Sequence, residues 1–212
     1  MKKPFTLVEV LIAMSVLSVF LLGLMQFFSS TETMRTSGME RTDLFERARI
    51  VMDMMANDLT CAYYSQTDKS LTPFKYSQNS SFSVATIRPE KLNKDAKTAI
   101  VGVKYAWNNS KQTLVYSYDG TGDTFDVSKN DCGSNETELV EGVTDFDVKA
   151  YYGDGKKILP ALVVIRMELV DTKTLRRMKA NPAGKEAILK NANKREFRRM
   201  VVIDRGQPKP KL

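Results

Sequence analysis

The hydrophobic pattern of the chain begins with an unbroken apolar run over residues 5–28, in which Glu9 is the only ionisable residue. About 20 apolar residues are enough for a helix to cross a bilayer, so the run predicts a transmembrane helix. Lys2 and Lys3 precede it, and the positive-inside tendency leaves them in the cytoplasm and exports the rest of the chain. Glu9 is unusual there, because a carboxylate in hydrocarbon costs about 2.5–3.5 kcal/mol on insertion scales.

Two simpler interpretations of this run are a cleaved secretory signal and a plain signal anchor. A secretory signal has a shorter apolar core with small residues before the cleavage site, whereas FFSSTETM follows the run here. A plain anchor fits the length of the run but gives no reason for Glu9.

After the run, apolar residues recur at helical spacing and predict that the helix continues over residues 29–64 as an amphipathic segment. The stripe consists of Leu44, Ala48, Val51, Met52, Met55 and Leu59. We expect it to seat the helix against a sheet, with the methionines as core residues.

Residues 65–206 carry the pattern of a β-rich head. Short runs such as SFSVATIR, AIVGVKYAWN and TLVYSYD are rich in β-branched and aromatic residues and are separated by polar clusters. The NNSK segment before Thr113 predicts a hairpin turn. The fold class predicted is α+β, with a long N-terminal helix packed on antiparallel sheet.

LVVIRMELVD and EFRRMVVID predict a second hairpin, which a basic insert over residues 173–195 interrupts. Pro182 is placed to begin a short helix over residues 183–191, since proline is tolerated in the first turn. The pattern assigns the insert no role. Residues 207–212 are expected to be a frayed tail.

Composition argues against an enzyme. The chain has no histidine, which excludes the usual catalytic triads and histidine-containing zinc sites, and it has no phosphate-binding glycine loop. The acids Asp119, Asp123, Asp126 and Asp131 lie in one polar region, but their spacing does not match a calcium-binding EF-hand. We therefore predict no cofactor, no metal and no catalytic residue.

The two cysteines, Cys61 and Cys132, leave two interpretations open. In an exported domain they could form a disulfide, since such bonds persist in oxidising compartments. Alternatively Cys61, at the end of a helix, is a small buried hydrophobe.

Charge is distributed unevenly along the chain. The net charge is +7, and the segment 171–212 holds thirteen basic and four acidic residues, or +9, which leaves −2 for the remainder. A basic C-terminal region suggests acidic partners such as nucleic acid or anionic lipid, although a solvated basic surface explains it as well.

The segment PFTLVEVLIAM resembles the N-terminal signal of type IV pilins and of type II secretion pseudopilins. The resemblance implies a leader over residues 1–4, removed by a prepilin peptidase between Pro4 and Phe5, and methylation of the new amino terminus. It also implies that Glu9 meets the Phe5 amine of a neighbouring subunit and so sets register in a filament. This chain has Pro4 where that family usually has glycine.

The C-terminal half is similar to J-type minor pseudopilins. Val143, Phe146 and Val148 match a strand of that pattern, a turn with Gly153, Asp154 and Gly155 follows, and Pro160 precedes the long apolar strand. The segment FERARIVMDMMANDL also resembles the helix of that type. The resemblance implies a pilin-like fold.

The function implied is that of a structural subunit near the tip of a type II secretion pseudopilus, where it helps assembly with other pseudopilins. It would be a single-pass protein of the bacterial inner membrane with a periplasmic head. An alternative is a minor pilin of a type IV pilus or of a DNA-uptake system whose basic head contacts DNA. A third is a membrane-tethered enzyme or binding module that depends on neither processing nor Glu9.

Overall fold

The computed structural model describes residues 6–63, 71–91, 94, 96–121, 125–128, 136–152 and 159–203. Its elements in chain order are α1 (Leu7–Thr60), β1 (Phe74–Ser77), β2 (Ser81–Ile87), β3 (Ile100–Asn108), β4 (Thr113–Asp119), β5 (Thr137–Glu141), β6 (Val143–Tyr151), β7 (Leu162–Val170), α2 (Thr172–Ala180), α3 (Lys185–Lys190) and β8 (Lys194–Val202). Short 3-10 turns occur at Pro89–Lys91 and Pro182–Gly184. The chain divides into two compact units, Met1–Asp43 and Leu44–Leu212.

The N-terminal unit contains the first part of α1. Every described side chain from Leu7 to Phe28 is exposed, including large apolar ones such as Leu7 and Met25. By length and composition, α1 is able to cross a membrane. An apolar surface this extensive requires a lipid or protein environment, since soluble proteins rarely expose contiguous apolar patches of this size.

The C-terminal unit is built around the last turns of α1. The predicted stripe is confirmed: Ala48, Val51, Met52, Met55 and Leu59 are buried, and Leu44 packs partly buried against them. After α1 ends, the chain runs beside β2, where the Tyr63 amide donates to the Ala85 carbonyl at 2.7 Å.

Five strands form an antiparallel sheet in the order β1-β2-β3-β4-β5, and three form a second one in the order β6-β7-β8. The hairpin predicted at NNSK joins β3 and β4, and the predicted pairing of β7 with β8 is confirmed in register from Leu162↔Val202 to Val170↔Lys194. Inner faces of both sheets share one hydrophobic core with α1. The strand β1 was not predicted from the sequence, and its last three residues are all exposed.

Gly142 separates β5 from β6, and it is where the chain leaves one sheet for the other. Its φ is +85°, a conformation that favours glycine, and an added Cβ would lie 3.1 Å from the Val170 carbonyl oxygen. The amides of Gly142 and Val143 both donate to the carbonyl of Gln112, at 2.8 and 3.0 Å. The break at Gly142 was not predicted from the sequence.

The basic insert folds into two helices. Asp171 caps α2, its carboxylate accepting from the Thr174 amide at 2.6 Å, and Leu175 and Met178 are buried beside Val170. The short helix predicted after Pro182 is present as a 3-10 turn followed by α3. The helix α2 was not predicted from the sequence. The whole arrangement, one long N-terminal helix and antiparallel sheets, is the α+β class predicted and agrees with a pilin-like fold.

Candidate functional site

Thr6 and Glu9 form a capping box at the start of α1. The Thr6 amide and hydroxyl donate to Oε2 of Glu9 at 2.9 and 3.0 Å, and the Glu9 amide donates to the Thr6 hydroxyl oxygen at 3.3 Å. Thr6 precedes the first helical residue, and Glu9 is the third residue of the helix, the spacing such a box requires. The T-x-x-E pattern at residues 6–9 is a signal that the sequence analysis did not use.

This capping explains part of why an acid is tolerated at residue 9. The first amides of a helix have no partner within the helix, and the helix dipole favours a negative charge there. Both hydrogen bonds that the carboxylate accepts among the described residues reach Oε2. No hydrogen bond from the described residues reaches its Oε1 atom.

Both serine hydroxyls in the apolar part of α1 are satisfied within the helix. The Ser15 hydroxyl donates to the Leu11 carbonyl at 2.7 Å, and the Ser18 hydroxyl donates to the Met14 carbonyl at 2.8 Å. Such back-bonding removes the need for water, which hydrocarbon cannot supply. Glu9 is thus the one ionisable group of the described apolar segment.

A second cluster of ionisable residues lies where α1 meets the first sheet. Asp58 is fully buried, and its carboxylate accepts hydrogen bonds from Nε of Arg88 and from the hydroxyl of Tyr105. The Arg88 guanidinium also lies 5.9 Å from the ring centroid of Tyr116. Sequence reasoning missed this cluster, although Asp58 occupies a position of the apolar stripe, three residues after Met55.

Burial dominates the electrostatics of the cluster. It raises the pKa of Asp58, while the Tyr105 hydroxyl and the Arg88 guanidinium oppose that shift. Burial also raises the pKa values of Tyr105 and Tyr116, so both phenols stay neutral. The Arg88 guanidinium balances the charge of the carboxylate and the Tyr105 hydroxyl donates a second hydrogen bond to it, so the cluster ties the end of α1 to β3 and to the residue that follows β2.

Most of the predicted processing and disulfide residues lie outside the described part of the chain. Pro4, Phe5 and Cys132 lie outside the described ranges, as do Asp123 and Asp131 of the polar region. Cys61 is half-buried at the end of α1. Within the described ranges, no group of three or more acidic or cysteine side chains could hold a metal ion. Cleavage, methylation and the disulfide therefore stay predictions.

Comparison with known proteins gives one relative. The chain is similar to the pilin-like protein PilA3 of Thermus thermophilus, at 27% identity over 171 residues, which cover 74% of this chain and 70% of that protein. No protein-family model matches the chain, and no solved structure is a significant match. Together with the long N-terminal helix and the antiparallel sheets, the similarity supports a relationship to the type IV pilin-like proteins.

Proposed function

We propose that this chain is a structural subunit of a pilin or pseudopilin filament, held in the membrane by the first part of α1. The observation that carries the proposal is the apolar helix, whose described side chains from Leu7 to Phe28 are all exposed and whose one acid lies in the first turn. An apolar helix of this kind needs lipid before assembly and sibling helices after it. The similarity to a pilin-like protein supports this structural, non-catalytic role and assembly with other pilins.

Glu9 guides assembly in this proposal. Cleavage between Pro4 and Phe5 by a prepilin peptidase creates a free amine, which is then methylated. The Glu9 carboxylate, already oriented by Thr6 through Oε2, offers Oε1 to the amine of an adjacent subunit. A buried charge is tolerated when it is paired, so the contact holds only at the correct axial offset between subunits.

At the finer level, we propose a minor pseudopilin of the J type, which sits near the tip of a type II secretion pseudopilus and helps assembly begin. The motivation is the resemblance of residues 143–170 and of the FERARIVMDMMANDL segment to that type. Its site is the bacterial inner membrane, with the C-terminal unit in the periplasm. The domain scheme remains the one proposed: leader 1–4, transmembrane helix 5–28, amphipathic helix 29–64, head 65–206 and tail 207–212.

The alternative is a minor pilin of a type IV pilus or DNA-uptake system. Exposed Arg195 and Arg198 on β8 could contact phosphates. Several neighbouring basic groups, however, are paired with acids: Lys179 with Glu141 at 2.9 Å, Lys194 with Glu168 at 3.1 Å and Arg199 with Asp53 at 3.2 Å. Salt-sensitive DNA binding by the C-terminal unit separates this alternative from the secretion role.

Two substitutions at Glu9 test the assembly role while separating charge from capping. Glu9→Gln keeps an acceptor for the Thr6 amide but removes the charge, because glutamine also serves in a capping box. Glu9→Val removes both. We expect both variants to insert into the membrane and to lose crosslinking to sibling subunits.

Thr6→Ala is the matched control, since it weakens the cap and keeps the carboxylate. We expect it to retain most of the crosslinked complex. Wild-type crosslinking by Glu9→Gln would refute the charge-pairing role.

A further inference from the structure

A cavity of about 400 Å³ lies between the β3–β4 turn, strand β5 and the basic insert. Its walls come from three separate parts of the C-terminal unit: the turn with Lys111 and Gln112, β5 with Glu141, and the insert with Met178 and Lys185. Its size falls in the range of natural small-ligand sites, about 300–1,000 Å³. Neither the filament role nor the Asp58 cluster uses it.

Two buried polar atoms in the wall have no partner among the described residues. They are Oε1 of Gln112 and Oγ1 of Thr113, in side chains that are 4% and 3% exposed. Most buried polar atoms in folded proteins are hydrogen-bonded, so each orphan requires an explanation. A ligand that supplies a donor to Gln112 would provide one.

The orientation of Gln112 is fixed by its own amide group. Its Nε2 donates to the carbonyl oxygen and to Oδ1 of Asn109, at 2.6 and 2.9 Å, which leaves Oε1 as the atom without a partner. Gln112 also has a φ of 56°, in the left-handed region that few non-glycine residues occupy. Strain of this kind concentrates at binding sites, and here the Gln112 carbonyl also anchors Gly142 and Val143.

The charge around the cavity is positive. Lys111, Lys179 and Lys185 contribute three ammonium groups against the two carboxylates of Glu138 and Glu141. Lys179 is paired closely with Glu141 at 2.9 Å, whereas Lys111 is 3.8 Å from Glu138 and Lys185 donates to the Asn109 carbonyl at 3.1 Å. Lys111 and Lys185 thus keep donors for an anion.

The insert contributes an apolar side to the same cavity, through Leu175, Met178 and Pro182. A ligand that fits therefore combines three properties: an anionic group for the lysines, a neighbouring donor for Gln112, and a carbon surface for the insert. Both orphan atoms are shielded from solvent here, so binding requires a lining side chain to move aside.

We propose that this cavity binds a carboxylate with an adjacent N–H or O–H donor. Such a group occurs at the carboxyl terminus of a peptide and in a sugar acid. The anion pairs with Lys111 and Lys185, the donor satisfies Oε1 of Gln112, and Thr113 supplies a further hydrogen bond. The basic insert then has a role, since its helices complete the cavity.

Titration of the full chain in detergent micelles tests the proposal, with ligand binding followed by calorimetry and by saturation-transfer NMR. The probes are N-acetylalanine for a peptide terminus and glucuronate for a sugar acid, with N-acetylalanine methyl ester and glucose as their uncharged counterparts. We expect saturable binding of at least one acid and at least about tenfold weaker binding of its uncharged counterpart. If only one acid binds, the ligand belongs to the class which that acid represents, a peptide terminus or a sugar acid. Saturable binding of neither acid would overturn the proposal.

Variants locate the binding. Lys185→Gln should weaken it about tenfold, whereas Lys190→Gln, on the same helix but outside the cavity lining, should leave it unchanged. Equal effects of the two substitutions would show that only general charge matters and would reject the site.

Thr113→Val separates a role in ligand binding from a purely structural role, because it changes affinity and stability in different directions. Valine keeps the shape and removes the orphan hydroxyl, so thermal stability should be unchanged or higher while affinity falls several-fold. Unchanged affinity together with raised stability would show that Thr113 takes no part in binding and would contradict the proposed contact.

Discussion

The hydroxyl of Tyr105 donates a hydrogen bond to Oδ2 of Asp58, a residue 47 positions earlier in the chain. The bond joins the middle of β3 to the last turn of α1 inside the core, where neither group meets solvent. Because a buried carboxylate without donors is strongly unfavourable, the helix can pack here only when the strand is in its correct position.

Removing this donor should destabilise the C-terminal unit. We expect Tyr105→Phe to lower the free energy of unfolding by about 1–3 kcal/mol, because it leaves a buried acceptor unsatisfied. Tyr116→Phe is the matched control, since the Tyr116 hydroxyl has no hydrogen-bond partner among the described groups, and it should change stability by less than about 0.5 kcal/mol. Urea denaturation of a soluble fragment, residues 29–212, measures both. Equal losses would mean that the Asp58 contact contributes nothing specific.

The apolar stripe of α1 gives a second prediction, which also supposes that this fragment folds without the membrane segment. Met55 is fully buried, so Met55→Asp places an unpaired charge in the core and should prevent folding or remove several kcal/mol of stability. Ile50→Asp, at a position 67% exposed on the same helix, should have little effect. Thermal melts distinguish them, and equal midpoints would show that the stripe does not face the core.

Stability should fall in alkaline solution because of the buried tyrosines. Burial raises the pKa values of Tyr105 and Tyr116 above the ordinary value of about 10, so an unfolded chain loses these protons first. The stability that these two protonated tyrosines contribute is fully present below pH about 10, and it is lost as the pH rises toward their pKa values in the folded protein. Tyr116→Phe should therefore flatten the decline above pH 10 without changing stability at pH 7. Unfolding curves from pH 7 to 11 check this, and an unaltered slope would rule it out.

Processing can be tested on the mature protein. We predict cleavage between Pro4 and Phe5 followed by N-methylation, and the intact mass of the membrane-extracted chain measures both. Pro4→Gly restores the residue usual in the resembling family and should be cleaved at least as fast as the natural sequence. A chain that keeps residues 1–4 in cells with an active prepilin peptidase would contradict the prediction.

The fifth prediction is that Cys61 and Cys132 serve no metal site, and it leaves two states of the pair to be separated, a disulfide and two free thiols. A disulfide would close a long loop, and chain-entropy reasoning gives about 4 kcal/mol of stabilisation where the native geometry allows it. Thiol titration of the denatured, unreduced, membrane-extracted protein decides between the two states, since a disulfide leaves no free thiol, and a chelator should leave the stability of the protein unchanged. Two free thiols per chain would exclude the disulfide. The stabilities of Cys61→Ser and Cys132→Ser would then show what each side chain contributes on its own.

Local patterns were enough to predict the elements whose periodicity is strong. The stripe from Leu44 to Leu59 and the enrichment of β2, β3, β4 and β7 in β-branched, aromatic and other apolar residues are properties of neighbouring residues. The helix α2 was missed because TKTLRRMKA has few apolar residues, and only Asp171, as a cap, marks its start. The strand β1 was missed for a similar reason, since three of its four residues are exposed.

The sites depend on proximity that no local pattern contains. Asp58 contacts Arg88 and Tyr105, which come from other parts of the chain. The sequence therefore shows that an acid interrupts the apolar stripe, but it does not show which residues this acid contacts. The cavity needs Gln112 beside Lys185, two residues brought together only by the tertiary fold. Glu9 is the exception, because its T-x-x-E partner lies three residues away and could be found in the sequence.

The pairing of Val170 with Lys194 has a consequence for how this protein can evolve. The two ends of the insert lie on adjacent paired strands, roughly 5 Å apart, so a short turn could close the hairpin in its place. Lengthening, shortening or exchanging the segment between them therefore need not disturb the register of β7 and β8. Natural variation could therefore change the insert while the residues that hold α1 to the sheet stay under separate selection.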